Sequence, residues 1–222
     1  MLDSRMKGHI NLLIKRYPAL EAVRQEIIDG YLLMESCYCH GGKLLIAGNG
    51  GSAADAEHIA GELMKRFRRP RPVSPEFAAK LTEIDPVRGP DLAKNLECGL
   101  MAIPLVAHEA LTTAYINDVD AVGVFAQQLF GFGRPGDVFL GISTSGNSKN
   151  IMSATVVARA MGIKVLGLTG ASGGELAKAA DVCVKAPESE TYRIQEYHLP
   201  IYHCWCLMLE DRFFGQDDDS LI

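Results

Sequence analysis

The sequence predicts a doubly wound α/β domain over 41–222, with a five-stranded parallel sheet and a helical preface at 1–40. Short continuous apolar runs have the length of strands buried on both faces, and helix-length segments alternate with them. Two of these runs lead straight into turns rich in glycine or serine, at the carboxyl ends of strands where such sheets gather their ligands. A chain of 222 residues is long enough for one well-buried domain, and no low-complexity linker divides it.

Within 3–40 two helices are expected on either side of Pro18, the second carrying Leu20, Val23, Ile27, Tyr31, Met34 and Tyr38 on one apolar side. That side needs a surface to cover, either the sheet or another subunit. Gly41-Gly42 ends the preface, and Leu44-Leu45-Ile46-Ala47 is the first strand. Gly48, Gly50 and Gly51 then let the backbone turn sharply and approach a ligand, with Ser52 or Asn49 expected to cap the next helix. The N–H groups of that helix start suit a phosphate. Further along it, His58 and Glu62 are four apart and project from one face.

Prolines at 70, 72, 75, 86 and 90 make 70–100 read as a long loop with one short helix near 91–99. Loops of that length are uncommon unless they cover a site or meet a neighbour. The second strand is expected at 103–107, with Pro104 tolerated at its start, followed by a loop at 112–118 and a helix at 121–132. The third strand, 137–142, runs into Ser143-Thr144-Ser145-Gly146-Asn147-Ser148 before a helix at 149–161. Here the anion turn recurs with hydroxyls and helix N–H groups as neutral donors. Strands at 165–168 and 182–185 flank a short helix introduced by Gly173-Gly174. A long helix fills 191–214, kinked or broken at Pro200, and carries Gln195, Glu196, His198 and His203. Histidines on an apolar helix ordinarily serve packing or hydrogen bonding, so their role depends on what stands opposite.

A net charge of −5 with scattered basic residues argues against general nucleic-acid binding. The exception is Lys65, Arg66, Arg68, Arg69 and Arg71, read as a solvated helix end or as an attractor of an anionic substrate. The charged N-terminus has too short an apolar part for a signal peptide, and no stretch approaches the roughly eighteen apolar residues of a membrane span, so a cytoplasmic protein is expected. The six cysteines lack paired C-x-x-C spacing and read as reduced, mostly buried thiols.

Taken jointly, GNGGS with Asp55, His58 and Glu62, GISTSGNS at 141–148, LTG at 168–170 and RIQE at 193–196 resemble the sugar isomerase (SIS) domain family, and most of all its phosphoheptose isomerase branch. The resemblance covers about 41–214. It implies a flavodoxin-like sheet, a homotetramer with sites at subunit contacts, and conversion of sedoheptulose 7-phosphate to D-glycero-D-manno-heptose 7-phosphate. It assigns Asn49, Gly50, Gly51, Ser52, Glu62, Asn117, Asp118, Ser143, Thr144, Ser145, Ser148 and Gln195 to substrate contacts. Glu62 would be the base and His203 the partner acid, with His58, Glu62, Gln195 and His203 as zinc ligands. One departure is that 70–108 is longer than the family pattern, and a loop there would lie beside the site.

The chemistry is consistent with this assignment. Aldose–ketose interconversion moves a proton between C1 and C2 through an enediol, so it needs a base, an acid and stabilisation of the developing oxyanion. Glu62 and a histidine supply the first two, and a zinc ion would polarise the carbonyl. His58 and Glu62 can share one metal, whereas the eight residues from Gln195 to His203 span about 12 Å of helix. Either Gln195 precedes the regular helix, or one ligand comes from a neighbouring chain. The alternative function is a noncatalytic SIS protein that senses a phosphosugar or acts as a replication-initiator-associating adaptor; such proteins keep the glycine turns without the acid, base and metal side chains. A nucleotide-dependent dehydrogenase is disfavoured because Ala53 holds the third glycine position.

Overall fold

The structure is a computed structural model that describes residues 2–215. In chain order its helices are α1 (Ser4–Arg16), α2 (Arg24–Cys39), α3 (Gly51–Met64), α4 (Pro75–Ile84), α5 (Gly89–Asn95), α6 (Glu109–Asp118), α7 (Val124–Phe132), α8 (Lys149–Ala160), α9 (Leu176–Ala179) and α10 (Thr191–Phe214). The strands are β1 (Leu44–Ala47), β2 (Ala102–Pro104), β3 (Val138–Ile142), β4 (Lys164–Thr169) and β5 (Val182–Lys185). All pair in parallel, in the order β2-β1-β3-β4-β5. The chain moves outward from β1 to β2 and returns to lay β3 on the other side of β1. The crevice beyond the carboxyl ends of β1 and β3 is therefore the topological switch point, where open α/β sheets bind ligands.

Continuous apolarity in the strands is explained by two core layers. Leu44 and Ile46 face the layer that holds Val138, Leu140, Leu166 and Leu168, while Leu45 and Ala47 face the layer that holds Phe139 and Val165. The first layer is closed by α1, α2, α3 and α10, the second by α7, α8 and α9. Leu44, Leu45 and Ile46 are fully buried, and each such side chain stabilises the fold by roughly 1.5–3 kcal/mol. The N-terminal helices pack on their own chain. Trp205 of α10 donates from its indole N–H to the carbonyl of Ile27 on α2 at 2.8 Å, and His9 of α1 meets Asp211 of α10 at 2.6 Å.

Several elements differ from the sequence reading. Leu20 and Val23 lie in a 3-10 segment, Pro18–Val23, so α2 begins only at Arg24. The segment 70–100 holds two helices, α4 and α5, not a loop with one. Ser74 caps α4 by accepting from the Phe77 N–H at 3.2 Å, Pro75 opens the helix, and Asp85 accepts from the Val87 and Arg88 N–H groups at 2.9 Å to turn the chain toward α5. Residues 112–118 belong to helix α6. The second strand is shorter and earlier than expected, with Pro104 at its end. As β2 is an edge strand, Pro104 has no neighbour on its open side to which an N–H would be owed. Pro200 lies inside α10 and does not divide it.

The basic cluster is divided: Lys65, Arg66 and Arg68 are exposed, as a solvated helix end would be, whereas Arg69 and Arg71 are held inside the molecule. Arg71 is buried against Glu210 at 2.9 Å, Arg69 bonds Asp211, and Arg66 meets Glu97 at 2.7 Å. All six cysteines are free: Cys37, Cys204 and Cys206 are buried, Cys183 is half-buried, and Cys39 and Cys98 are exposed. Among the described residues no helix is long and apolar enough to cross a membrane.

Candidate active site

The turn after β1 is made by Gly50, whose φ of +56° lies in the region that favours glycine and which is itself the N-cap of α3, with no side-chain cap. The two residues expected to cap do other things. Ser52 is buried on the first turn of α3. Asn49 exchanges two amide hydrogen bonds with Asn150 at the start of α8, at 3.0 and 2.8 Å. That reciprocal pair ties the turn after β1 to the turn after β3. Asn150 was not foreseen, because a lone asparagine behind a serine run carries no signal until its partner is known.

In the turn after β3, Ser143 Oγ and Ser148 Oγ lie 2.9 Å apart, and Ser145 Oγ accepts from the Asn147 N–H at 3.1 Å. Gly146 has φ +67°, and a Cβ there would collide with the carbonyl of Gly173, so the 173–174 loop packs directly on the turn. Ser148 is the N-cap of α8 without bonding the helix by its side chain. A cavity of about 280 Å³ opens beside the turn, lined by Thr144, Ser145, Asn147, Gly170, Ser172 and Glu188 among others. Hydroxyls and an amide offer an anion donors on one side of this cavity, with the Glu188 carboxylate on another wall. Asn117 and Asp118 sit at the exposed end of α6, where the Asn117 amide donates to Asp118 at 2.8 Å.

The titratable centre lies where α3 crosses α10. His58 Nε2 is 3.3 Å from Glu62 Oε1 and 3.4 Å from Nε2 of His203. Behind the ring, the hydroxyl of buried Tyr202 lies 3.0 Å from His58 Nδ1 and donates to Asp55 Oδ1 at 3.1 Å. Phe67 walls His203 at a ring separation of 5.4 Å. Burial, helped by the neighbouring His58, holds the His203 imidazole below its ordinary value, with Glu62 pulling the other way. Burial likewise raises the Asp55 carboxyl, against the hydrogen bond from Tyr202 and the attraction of His58. Glu62 is anchored from outside the centre: Lys65 reaches its other oxygen at 3.4 Å, and buried Arg71 donates to its backbone carbonyl at 3.2 Å. Tyr202 went unforeseen because, beside two histidines, it reads as an ordinary apolar helix residue.

Of the residues expected to work together, His58, Glu62 and His203 are brought together. Gln195 stands inside the first turn of α10 with its amide against Gly51, where a Cβ would lie 2.5 Å from Nε2, and so belongs to the glycine turn within this chain. Its placement within the regular helix removes the first of the two explanations for its spacing from His203. Among the described residues no three His, Cys, Asp or Glu side chains form a group able to hold a metal; the contacts here run pairwise through His58. A separate cavity of about 390 Å³ lies between α1 and α10, around Arg5, His9, Arg69 and Asp211. It is remote from both turns, and Asp211 already bonds His9 and Arg69 there.

Comparison with known proteins gives a consistent result. The model of the SIS domain matches residues 92–170. Over 221 residues the chain is 37% identical to a phosphoheptose isomerase of Thiobacillus denitrificans, covering 98% of this chain and 99% of that one. It is 42% identical over 177 residues to the phosphoheptose isomerase of Aneurinibacillus thermoaerophilus, 80% of this chain and 76% of its relative. The solved phosphoheptose isomerase of Neisseria gonorrhoeae superposes with a TM-score of 0.71 at 32% identity, covering 95% of this chain and all of that one.

Proposed function

The chain belongs to the phosphoheptose isomerases of the SIS family, and on that footing we propose that it is an aldose–ketose isomerase converting sedoheptulose 7-phosphate to D-glycero-D-manno-heptose 7-phosphate. The observation that carries the proposal is the acid–base pair Glu62 and His203, both in contact with His58 where α3 crosses α10. The serine turn holds the phosphate, its hydroxyls and the α8 N–H groups offering donors, with Lys149 at the first helical position beside them. Glu62 takes the proton from the carbon next to the carbonyl, and His203, whose imidazole burial holds below its ordinary value, passes a proton at the oxygen side of the enediol. Of the two carboxylate oxygens Oε1 faces His58, and Oε2, which the exposed Lys65 approaches at 3.4 Å, is the one assigned to the substrate.

Zinc is part of the same proposal. Two imidazole nitrogens and a carboxylate oxygen are the donor types zinc prefers, and they meet pairwise at His58 Nε2, 3.3 Å from Glu62 Oε1 and 3.4 Å from His203 Nε2, without being closed into a metal-holding group among the described residues. His58, Glu62 and His203 would hold the ion, with Gln195 supplied from a neighbouring chain. Bound there, zinc would act as a Lewis acid toward the substrate carbonyl. We extend the proposal to a homotetramer with sites at subunit contacts. Exposed Met64 on α3 and Leu199 on α10, near Glu62 and His203 in sequence, support it as apolar surface around the site.

The test is incubation with a panel of ketose phosphates followed by NMR. Appearance of the aldose from sedoheptulose 7-phosphate is expected, and its absence under conditions where the phosphosugar binds would refute the assignment. Light scattering of the same sample reads the subunit number.

A further inference from the structure

We propose that Asp55 and Tyr202 are positioning residues that hold His58 as its Nδ1–H tautomer, so that Nε2 presents a lone pair toward Glu62 and His203. This rests on the isomerase reading above and adds two residues to it. The argument is a count of protons. Tyr202 is fully buried in α10 and its hydroxyl has two neighbours, Asp55 Oδ1 at 3.1 Å and His58 Nδ1 at 3.0 Å. A phenol has one proton, and a carboxylate can only accept. The proton therefore goes to Asp55, and the Tyr202 oxygen must accept from His58 Nδ1–H. A neutral imidazole protonated there is bare at Nε2.

The bare nitrogen is the atom that stands 3.3 Å from Glu62 Oε1 and 3.4 Å from His203 Nε2. His203 can donate to it, but Glu62 cannot. Two acceptors facing each other at that distance are reconciled by a shared metal ion or by a second proton on His58, and the relay behind His58 leaves Nε2 free for either. The Oδ2 atom of Asp55 is buried without a partner, which leaves Tyr202 as the side chain that satisfies this carboxylate. The opposite arrangement is well defined. A proton on Asp55 Oδ1 would pass to the Tyr202 oxygen, the phenol would donate to Nδ1, and His58 Nε2–H would donate to Glu62 and close the site to a metal.

Long-range nitrogen–proton NMR on protein labelled at histidine, without metal, reads the tautomer directly. Zinc affinity is measured on the same samples by competition with a chromophoric chelator. In the wild type, Nδ1–H is expected. Tyr202→Phe preserves the shape but releases Nδ1, and the tautomer should become mixed while zinc affinity falls about 10- to 100-fold. Asp55→Ala frees the phenol proton, which then turns to Nδ1, and His58 should switch to Nε2–H. That inversion is an outcome a merely structural role for Asp55 would not produce. An Nε2–H tautomer in the wild type overturns the proposal, as do variants with wild-type tautomer and zinc affinity. Should the wild type bind no zinc while its His58 is Nδ1–H and Asp55→Ala inverts it, the metal reading fails and the relay stands.

Discussion

His203 Nε2 lies 3.4 Å from His58 Nε2, although 145 positions separate the two residues. Only the crossing of α3 and α10 makes this contact, and it places His58 between Glu62 and His203. His58→Ala is expected to lower zinc affinity by about 100-fold or more, since it removes the donor through which the other two are linked. Competition against a chelator measures it. Unchanged zinc uptake would remove His58 from the ligand set.

The serine turn yields a second expectation. Ser143 and Ser148 bond each other across the turn, so either hydroxyl can rotate onto a phosphate while the other supports it. Ser143→Ala or Ser148→Ala should each weaken phosphosugar binding by about 1–2 kcal/mol, or roughly 5- to 30-fold. Titration calorimetry with sedoheptulose 7-phosphate reads this, and equal affinities in the single and double variants would move the phosphate elsewhere.

A third concerns the frame around Glu62. Arg71 is buried against Glu210, donates to the Leu63 and Glu62 carbonyls at 2.7 and 3.2 Å, and so closes the C-terminal end of α3. Glu210 in turn accepts from the Phe67 and Arg68 N–H groups, both at 2.8 Å. Arg71→Met strands a buried carboxylate and should cost about 3–5 kcal/mol in urea denaturation. Arg71→Lys keeps the charge without the fork and should recover only part of the loss. A Met variant as stable as the wild type would contradict this.

How much of this was legible follows from which interactions are local. The strand β1 and the turn behind it could be read because four apolar residues and three glycines stand together, and the physics that uses them acts within that stretch. Of the two helices in 70–100, α5 lies close to the short helix expected near 91–99, whereas α4 is masked by the surrounding prolines although Ser74-Pro75-Glu76 is a helix start. Likewise, the Asn49–Asn150 pair depends on a partner about a hundred positions away. His58, Glu62 and His203 were singled out by residue type and family pattern, and Asp55 stood in the same motif without a role, but Tyr202 and the link it makes between Asp55 and His58 exist only when α10 lies on α3.

Acid should reveal a histidine outside the site. Burial pushes His198 down to about 4, against the favourable hydrogen bond of its Nε2 to the Thr169 carbonyl at 3.2 Å. A folded value below the unfolded one, ordinarily about 6.5, means the fold favours the neutral ring. The contribution is complete above about pH 6.5 and is lost as the pH falls toward about 4. It amounts to something on the order of 3 kcal/mol. Between about pH 7 and about pH 4.5, wild-type stability should fall by on the order of 2–3 kcal/mol more than that of His198→Gln. Parallel stability profiles for the two proteins would contradict it.

The central claim is that Glu62 moves the proton between C1 and C2 and that His203 acts with it as one unit, and solvent exchange tests this most directly. With sedoheptulose 7-phosphate in deuterated solvent, the wild type should exchange the C1 or C2 proton during turnover. Glu62→Gln should bind the phosphosugar nearly as well yet lose about two to four orders of magnitude in turnover and exchange. Adding His203→Ala should cost little more than the worse single change. Exchange at the wild-type rate in Glu62→Gln, or a double variant that loses the product of both single effects, would contradict the account.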